Sequence, residues 1–141
     1  MINEIVLGIF LFTAAVCDIK TKKLPLILLT IWISAGALLY LLLRPASMTD
    51  EFMGVLIGIV FIAVAVVSDG KLGLGDGAAI LAVGIYLGGR SAGFTCLYAL
   101  ILSAAFSVAV LMTGKYTRTK EIPFIPFLLA GFLLHGAVTY I

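Results

Sequence analysis

Long stretches without charge set the main constraint on how this chain can fold. Charged and turn-forming residues separate six apolar segments, at about residues 5–17, 25–43, 52–67, 77–89, 92–113 and 122–141. The chain has 141 residues, of which 63% are hydrophobic and 11% are charged, and its mean hydropathy is +1.27. A soluble core of this size cannot absorb so much apolar surface. The sequence therefore predicts an integral membrane protein.

Each apolar segment is expected to form a helix, because a lone segment in lipid must satisfy its own backbone hydrogen bonds. The predicted fold is all-α, a polytopic membrane protein of six transmembrane helices in a single membrane-embedded domain, residues 1–141. The first segment follows no positively charged region and precedes no small-residue cleavage site, so a retained span is expected rather than a signal peptide. Gly54 and Gly58, four residues apart, predict a close helix contact in the third span.

The distribution of basic residues between the connectors predicts the orientation of the chain. Seven of the nine lie in the first, third and fifth connectors, whereas Arg44 and Arg90 lie in the second and fourth. The seven are Lys20, Lys22, Lys23, Lys71, Lys115, Arg118 and Lys120. By the positive-inside rule, those three connectors face the cytoplasm. The protein is expected in the cell (cytoplasmic) membrane, with both termini on its outer side. Asp50 and Glu51 then fall in an outer loop.

Several functional classes have no support in the composition. The basic residues are scattered through loops without interleaved aromatic residues, so no binding of nucleic acid is expected. Cys17 and Cys96 lie within apolar segments and form no CxxC pair, which argues against a zinc site and a redox motif. The predicted topology places these two cysteines near opposite membrane faces, so no disulfide is expected. No metal and no other cofactor is predicted.

Two acids on the cytoplasmic side, Asp18 and Asp76, adjoin short apolar segments. Thirteen residues separate Glu4 from Asp18, and eleven separate Asp76 from the pair at 88–89. Helices of those lengths reach about 20 Å and about 17 Å, short of the ~30 Å of a hydrocarbon core. Both carboxylates are therefore expected to lie below the cytoplasmic surface, in a protein-lined or water-filled cleft. Local thinning of the bilayer is the competing explanation.

As a pair, Asp18 and Asp76 have a chemical use that neither has alone. Two carboxylates in one water-filled pocket cannot both ionise cheaply, so one keeps its proton, and the pair is able to activate water against a peptide carbonyl. Gly73, Gly75 and Gly77 are expected to give the nearby backbone left-handed or extended turns that admit a substrate peptide. The structural alternatives are an N-cap role for Asp76 and charge balance between Asp18 and the lysines of the first connector.

Three motifs occur in order along the chain: DIKTKKLP at residues 18–25, GLGD at residues 73–76 and IPFIPFL at residues 122–128. In this order, and with six apolar segments, they resemble the type IV prepilin peptidases, GxGD-type aspartic membrane proteases that include the preflagellin peptidases. The resemblance covers nearly the whole chain. It implies a membrane aspartic endopeptidase that removes the short basic leader from type IV prepilin or pseudopilin-like membrane proteins at the cytoplasmic face.

The resemblance also implies roles for particular residues. By similarity, Asp18 and Asp76 are the catalytic residues, and Gly73 and Gly75 are motif residues that join Pro25 as candidates for substrate binding. Longer members of the family carry an additional amino-terminal cytoplasmic segment with paired CxxC motifs, which is associated with N-methylation of the new amino terminus. Neither the segment nor the motifs occur in this sequence, so peptidase activity is expected without a zinc site and without support for methylation.

Two other functions use the same sequence features. A small proton- or cation-coupled transporter would bind its ion or relay protons with Asp18 and Asp76. It requires a polar path to the outer face, and the outer halves of the segments contain little beyond Thr95, Thr139 and His135, which favours the peptidase. His135 itself is expected to pack between helices. The third function is that of a noncatalytic assembly subunit, in which both aspartates only cap helices.

Overall fold

The computed structural model describes residues 2–21, 26–43, 48–68, 73–112 and 123–140. Those residues form five helices, and no strand occurs among them. In chain order the helices are α1 (Ile2–Thr21), α2 (Leu26–Leu43), α3 (Met48–Val67), α4 (Leu74–Met112) and α5 (Ile125–Tyr140). The all-α prediction is therefore confirmed for the described part of the chain.

Three of the helices, α1, α3 and α4, are long and apolar enough to cross a membrane. Shorter apolar stretches occupy α2 (Ile27–Leu39) and α5 (Ile125–Thr139). Many large apolar side chains on the helices face outward, among them Ile5, Phe12, Ile59, Val64 and Leu97. An exposed apolar surface of this extent is unfavourable in water and favourable in lipid. The fold is consistent with a membrane protein.

The largest departure from the predicted segments lies in α4. The fourth predicted segment, 77–89, and the described part of the fifth, 92–113, follow each other in α4 without a connecting loop, and Arg90, which was expected in a connector, is helical. Inside α4, Gly88 departs from helical geometry, with φ 76° and ψ 173°. Glycine adopts a positive φ readily because it has no Cβ atom. A single residue therefore joins the two segments where hydropathy predicts a loop.

The chain turns back on itself at Gly88. Phe106, near the end of α4, packs on Phe127, near the start of α5, with 5.3 Å between the ring centroids. The start of α5 also contacts Asp18, which lies near Asp76 at the start of α4. Asp76 and Phe106 therefore lie at the same end of the bundle, whereas a straight helix would hold them about 45 Å apart at 1.5 Å per residue. The halves of α4 before and after Gly88 lie side by side.

Small residues bring α3 and the first half of α4, residues 74–87, into backbone contact. A methyl group on Gly54 would overlap the carbonyl of Gly84, and one on Gly58 would overlap Leu81. Later positions in α3 meet earlier positions in α4, so the two helices run antiparallel. The predicted close contact at Gly54 and Gly58 is confirmed. Such close packing stabilises helix association in lipid, where burial of apolar surface contributes little free energy.

The second half of α4, residues 89–112, packs on α5, which in turn packs on α1. Gly131 of α5 lies against the backbone of Ala99, and a Cβ atom on Gly8 of α1 would lie 3.4 Å from the ring of Phe132. The buried core contains Leu7, Phe10, Leu11, Ile80, Val83, Ile125 and Leu128. Because α4 contacts all four other helices, it organises the bundle.

The middle of α2 attaches it to the bundle. The hydroxyl of Tyr86 donates a hydrogen bond to the carbonyl of Trp32 at 2.9 Å. The ring of Trp32 lies 5.4 Å from the ring of Phe10, centroid to centroid. Gly36 faces the Tyr86 ring, where a larger residue would overlap it. These contacts place α2 beside α1 and the first half of α4.

Candidate active site

Asp18 lies near the end of α1 and contacts the start of α5. Its side chain is only 7% exposed, and its Oδ2 accepts a hydrogen bond from the backbone N–H of Ile125 at 3.2 Å. Lys20 is exposed, and Lys22 and Lys23 lie outside the described residues. The described contact of Asp18 is therefore with a helix N-terminus, in place of the charge balance with Lys20 that the sequence offered as an alternative.

The first turn of α5 has one backbone donor to spare. Pro126 has no N–H, and the next two amides donate to the carbonyl of Phe124 at 3.0 and 3.1 Å. Within residues 125–128, this leaves the N–H of Ile125, which binds Asp18. Proline suits the first turn of a helix, because the donor it lacks has no partner inside the helix. The double-proline motif therefore forms a turn that presents a single donor to Asp18.

Asp76 lies in the first turn of α4, because this helix begins at Leu74 and not at residue 77 as predicted. The amides of Asp76 and Gly77 donate to the carbonyl of Gly73 at 3.0 and 3.2 Å. In return, the Asp76 carboxylate accepts a hydrogen bond from the backbone of Gly73. An acid that reaches back to the residue before its helix forms half of a capping box. Gly73 rather than Asp76 therefore occupies the N-cap position.

The glycines around Asp76 serve close contact and not unusual backbone geometry. The sequence predicted left-handed or extended turns at Gly73, Gly75 and Gly77. Among the described residues, Gly88 is the glycine with a positive φ, so the left-handed alternative is wrong at these three positions. Gly75 and Gly77 are helical. A Cβ atom on Gly77 would lie 3.1 Å from the backbone of α3, and one on Gly73 would lie 3.1 Å from Oδ2 of Asp76. Gly73 thus leaves room for the carboxylate.

The fold brings together the two acids that the sequence singled out. Asp18 lies close enough to Asp76 for their carboxyl groups to interact electrostatically, although the two residues belong to different helices. Asp18 is buried and Asp76 is half-buried. The contact of Asp18 with Ile125 adds the double-proline segment, so all three motifs contribute residues to one end of the bundle. Pro25 lies outside the described residues.

The described residues contain no group of three or more His, Cys, Asp or Glu side chains that could hold a metal ion. Cys17 and Cys96 are free thiols. His135 stacks on Phe94, with 6.0 Å between the ring centroids. This contact agrees with the packing role predicted for the histidine.

A contact that sequence reasoning missed lies at the opposite end of the bundle. Asp50 is in the first turn of α3, not in the outer loop where it was expected, and its Oδ1 accepts a hydrogen bond from the N–H of Arg90 at 3.0 Å. Its carboxylate also lies where a Cβ atom on Gly88 would be placed. An acid at the start of an apolar run is a helix-start signal, and that signal was available in the sequence.

The fold and the site together define an all-helical protein with long apolar helices and a pair of acids at one end of the bundle. In comparisons with known proteins, no family model matches the chain, and no solved structure matches it. The chain is 26% identical over 125 residues to the prepilin leader peptidase/N-methyltransferase of Bacillus subtilis (strain 168). This distant similarity supports a relationship to the prepilin peptidase family.

The matched region covers 88% of this chain and 50% of the Bacillus subtilis protein. The chain therefore spans about half the length of the curated relative that it matches. The similarity extends across nearly all of the helices described above, so it concerns the bundle as a whole and not a single motif.

Proposed function

We propose that this chain is a membrane aspartic endopeptidase of the prepilin peptidase type, with Asp18 and Asp76 as its catalytic pair. Its substrates are type IV prepilin or pseudopilin-like membrane proteins, and it removes their short basic leader. The observation that carries this proposal is the convergence of Asp18, Asp76 and the double-proline segment, which are distant in sequence, at one end of the bundle. The similarity to a prepilin leader peptidase/N-methyltransferase supports it independently.

The reaction needs one ionised and one protonated carboxyl group. Asp18 and Asp76 cannot both be charged cheaply in a partly buried site, so they hold one proton between them. The ionised group takes a proton from water as the water oxygen bonds to the scissile carbonyl carbon. The protonated group gives its proton to the peptide nitrogen as the carbon–nitrogen bond breaks. The pair then holds one proton again, ready for another cycle.

The proposed membrane arrangement follows the charge distribution. All six predicted segments cross the bilayer, with the two halves of α4 as the fourth and fifth spans. The basic connectors keep the end with Asp18 and Asp76 at the cytoplasm, and both termini lie outside. Gly73 and Gly75 lie along the approach to Asp76, and Pro25 belongs to the connector that follows α1.

The experiment is co-expression of the chain with a type IV prepilin, with removal of the leader followed by gel mobility. Asp18→Asn and Asp76→Asn keep the size of each side chain and abolish its proton transfer, so each is expected to lower cleavage by about 10³-fold. Asp50→Asn is the matched control, because Asp50 lies at the other end of the bundle and caps a helical segment there. It is expected to leave processing intact. Cleavage that persists in either catalytic variant would contradict the proposal.

One observation favours a proton- or cation-coupled transporter as the second candidate. Within the described residues, two buried oxygens have no hydrogen-bond partner, Oδ1 of Asn3 and Oγ1 of Thr95. They add polar groups to α1 and α4 beyond the aspartate pair. Ion flux into proteoliposomes, abolished by Asp18→Asn or Asp76→Asn, would favour this function over the peptidase. If both substitutions change only expression or melting, the noncatalytic assembly subunit is favoured.

A further inference from the structure

We infer that the first turn of α5 positions the catalytic pair, with the backbone N–H of Ile125 fixing the orientation of the Asp18 carboxylate for peptide hydrolysis. The inference rests on the proposed function and adds to it a group that neither the motifs nor the similarity assigns. Its starting point is the hydrogen bond of 3.2 Å between the Ile125 amide and Oδ2 of Asp18.

The hydrogen bond gives the two carboxylate oxygens of Asp18 different roles. A backbone N–H is directional and holds its acceptor near the line of the bond. With Oδ2 held by the Ile125 amide, Oδ1 is the Asp18 oxygen that the described contacts leave for water. A bond from an amide to a charged oxygen is also about twice as strong as one between neutral groups. The positive end of the α5 dipole further stabilises the anion at this position.

The donor is itself held rigidly. The side chains of Ile125 and Leu128 are fully buried in the core, and two amides of the turn converge on the carbonyl of Phe124. Pro126 has a fixed φ, so the turn has little freedom to rotate. Asp18 is also buried, which keeps bulk water from competing for the bond. A rigid donor of this kind keeps the Asp18 carboxylate in one orientation while substrate is bound.

The test removes the donor without removing the helix. Ile125→Pro deletes the N–H at the first position of α5, where proline is favoured, and Phe124 before it lies outside the helix and tolerates a following proline. Ile125→Ala keeps the amide and removes more of the side chain. Steady-state kinetics are measured with a purified type IV prepilin in detergent micelles.

The expected result is a change in kcat rather than in KM. A carboxylate displaced by a fraction of an ångström to 1 Å lowers kcat by about 10- to 100-fold, so Ile125→Pro falls by that factor with KM within about threefold. Ile125→Ala has the higher kcat of the two variants, despite its smaller side chain. Equal loss in both variants, or wild-type kcat in Ile125→Pro, overturns the positioning role.

A double-mutant cycle makes the contact measurable without catalysis. Asp18→Ala and Ile125→Pro are combined, and unfolding of all four proteins is followed by denaturant titration. Residues in contact give non-additive effects, so the double variant is expected to lose less stability than the sum of the single variants. Additive losses contradict the contact. Failure of the proposed function gives a different result. In that case wild-type protein cleaves no prepilin, and Asp76→Asn causes no further loss of cleavage.

Discussion

At one end of the bundle the Asp18 carboxylate accepts a hydrogen bond from the backbone N–H of Ile125. At the other end the Asp50 carboxylate accepts one from the backbone N–H of Arg90. In both places an aspartate on one helix satisfies the first amides of another helical segment. The acids differ in their surroundings. Asp18 is buried and interacts electrostatically with Asp76, from a distant part of the chain. Asp50 is partly exposed and interacts electrostatically with Glu51, its neighbour in sequence.

Capping therefore does not by itself distinguish a functional acid from a structural one. Both aspartates cap a helical segment, so loss of either side chain is expected to weaken the fold by about 1 kcal/mol. What differs is the second acid. Asp18 has Asp76 nearby in a partly buried site, an arrangement in which ionising both carboxyl groups costs free energy. Under the proposed function, the end with Asp18 is the catalytic end and the end with Asp50 has a structural role.

The largest effect on stability is expected from Gly84→Ala, which tests whether both ends depend on one helix contact. The new methyl group would overlap the backbone of Gly54, so α3 and α4 must separate, at a cost of about 3 kcal/mol in unfolding free energy. Denaturant titration in mixed micelles measures it. Gly136→Ala is the control, because within the described residues nothing lies within 4 Å of its added Cβ atom. Equal stability of the two variants would show that the contact is dispensable.

A smaller effect, confined to the end with Asp50, is expected from Gly88→Ala. Alanine is strained at φ 76°, and its Cβ atom would overlap the Asp50 carboxylate, so unfolding free energy falls by about 2 kcal/mol. The kcat of the folded fraction is expected to stay unchanged, because the proposed catalytic pair is at the other end. Gly93→Ala, whose Cβ atom would meet only a side-chain methyl at 3.9 Å, serves as the control. A loss of kcat in Gly88→Ala would break the separation between the two ends.

The smallest effect is expected from Gly73→Ala, at the end with Asp76. Its Cβ atom would lie 3.1 Å from Oδ2 of Asp76, so the carboxylate must shift by a few tenths of an ångström, which lowers kcat by about threefold to tenfold. Gly73→Ser carries the same Cβ atom and restores a good N-cap residue. Similar kcat losses in both variants would assign the effect to crowding of Asp76. A loss restricted to Gly73→Ala would assign it to capping instead.

Much of the fold is predictable because lipid imposes simple requirements. Uncharged runs had to be helical, and the small-residue pair in α3 marked a close contact, both of which the structure has. The connection at Gly88 was predicted to be a loop, because charged and turn-forming residues lower hydropathy and Arg90 was therefore assigned to a connector. A helical segment can begin with a charged residue when an acid such as Asp50 accepts a hydrogen bond from the backbone N–H of that residue.

The candidate site was less completely predictable. Both acids were singled out by their position beside short segments, and the structure places them near each other, as predicted. Their catalytic role stays a prediction. The amide of Ile125 could not be identified, because a backbone donor leaves no trace in side-chain chemistry. Pro126 was the available signal, since a proline in the first turn limits which amides are free. The left-handed or extended turns predicted at Gly75 and Gly77 are wrong, because composition does not separate backbone flexibility from close packing.

The contact between Gly54 and Gly84 has a consequence for how chains of this kind diverge. Two main chains meet there with no room for a methyl group, so neither position accepts a larger residue while the other stays unchanged. Any substitution at one must be matched by a displacement of the whole helix that carries the other. In an alignment of related sequences, we therefore expect these two columns to stay small together or to change together.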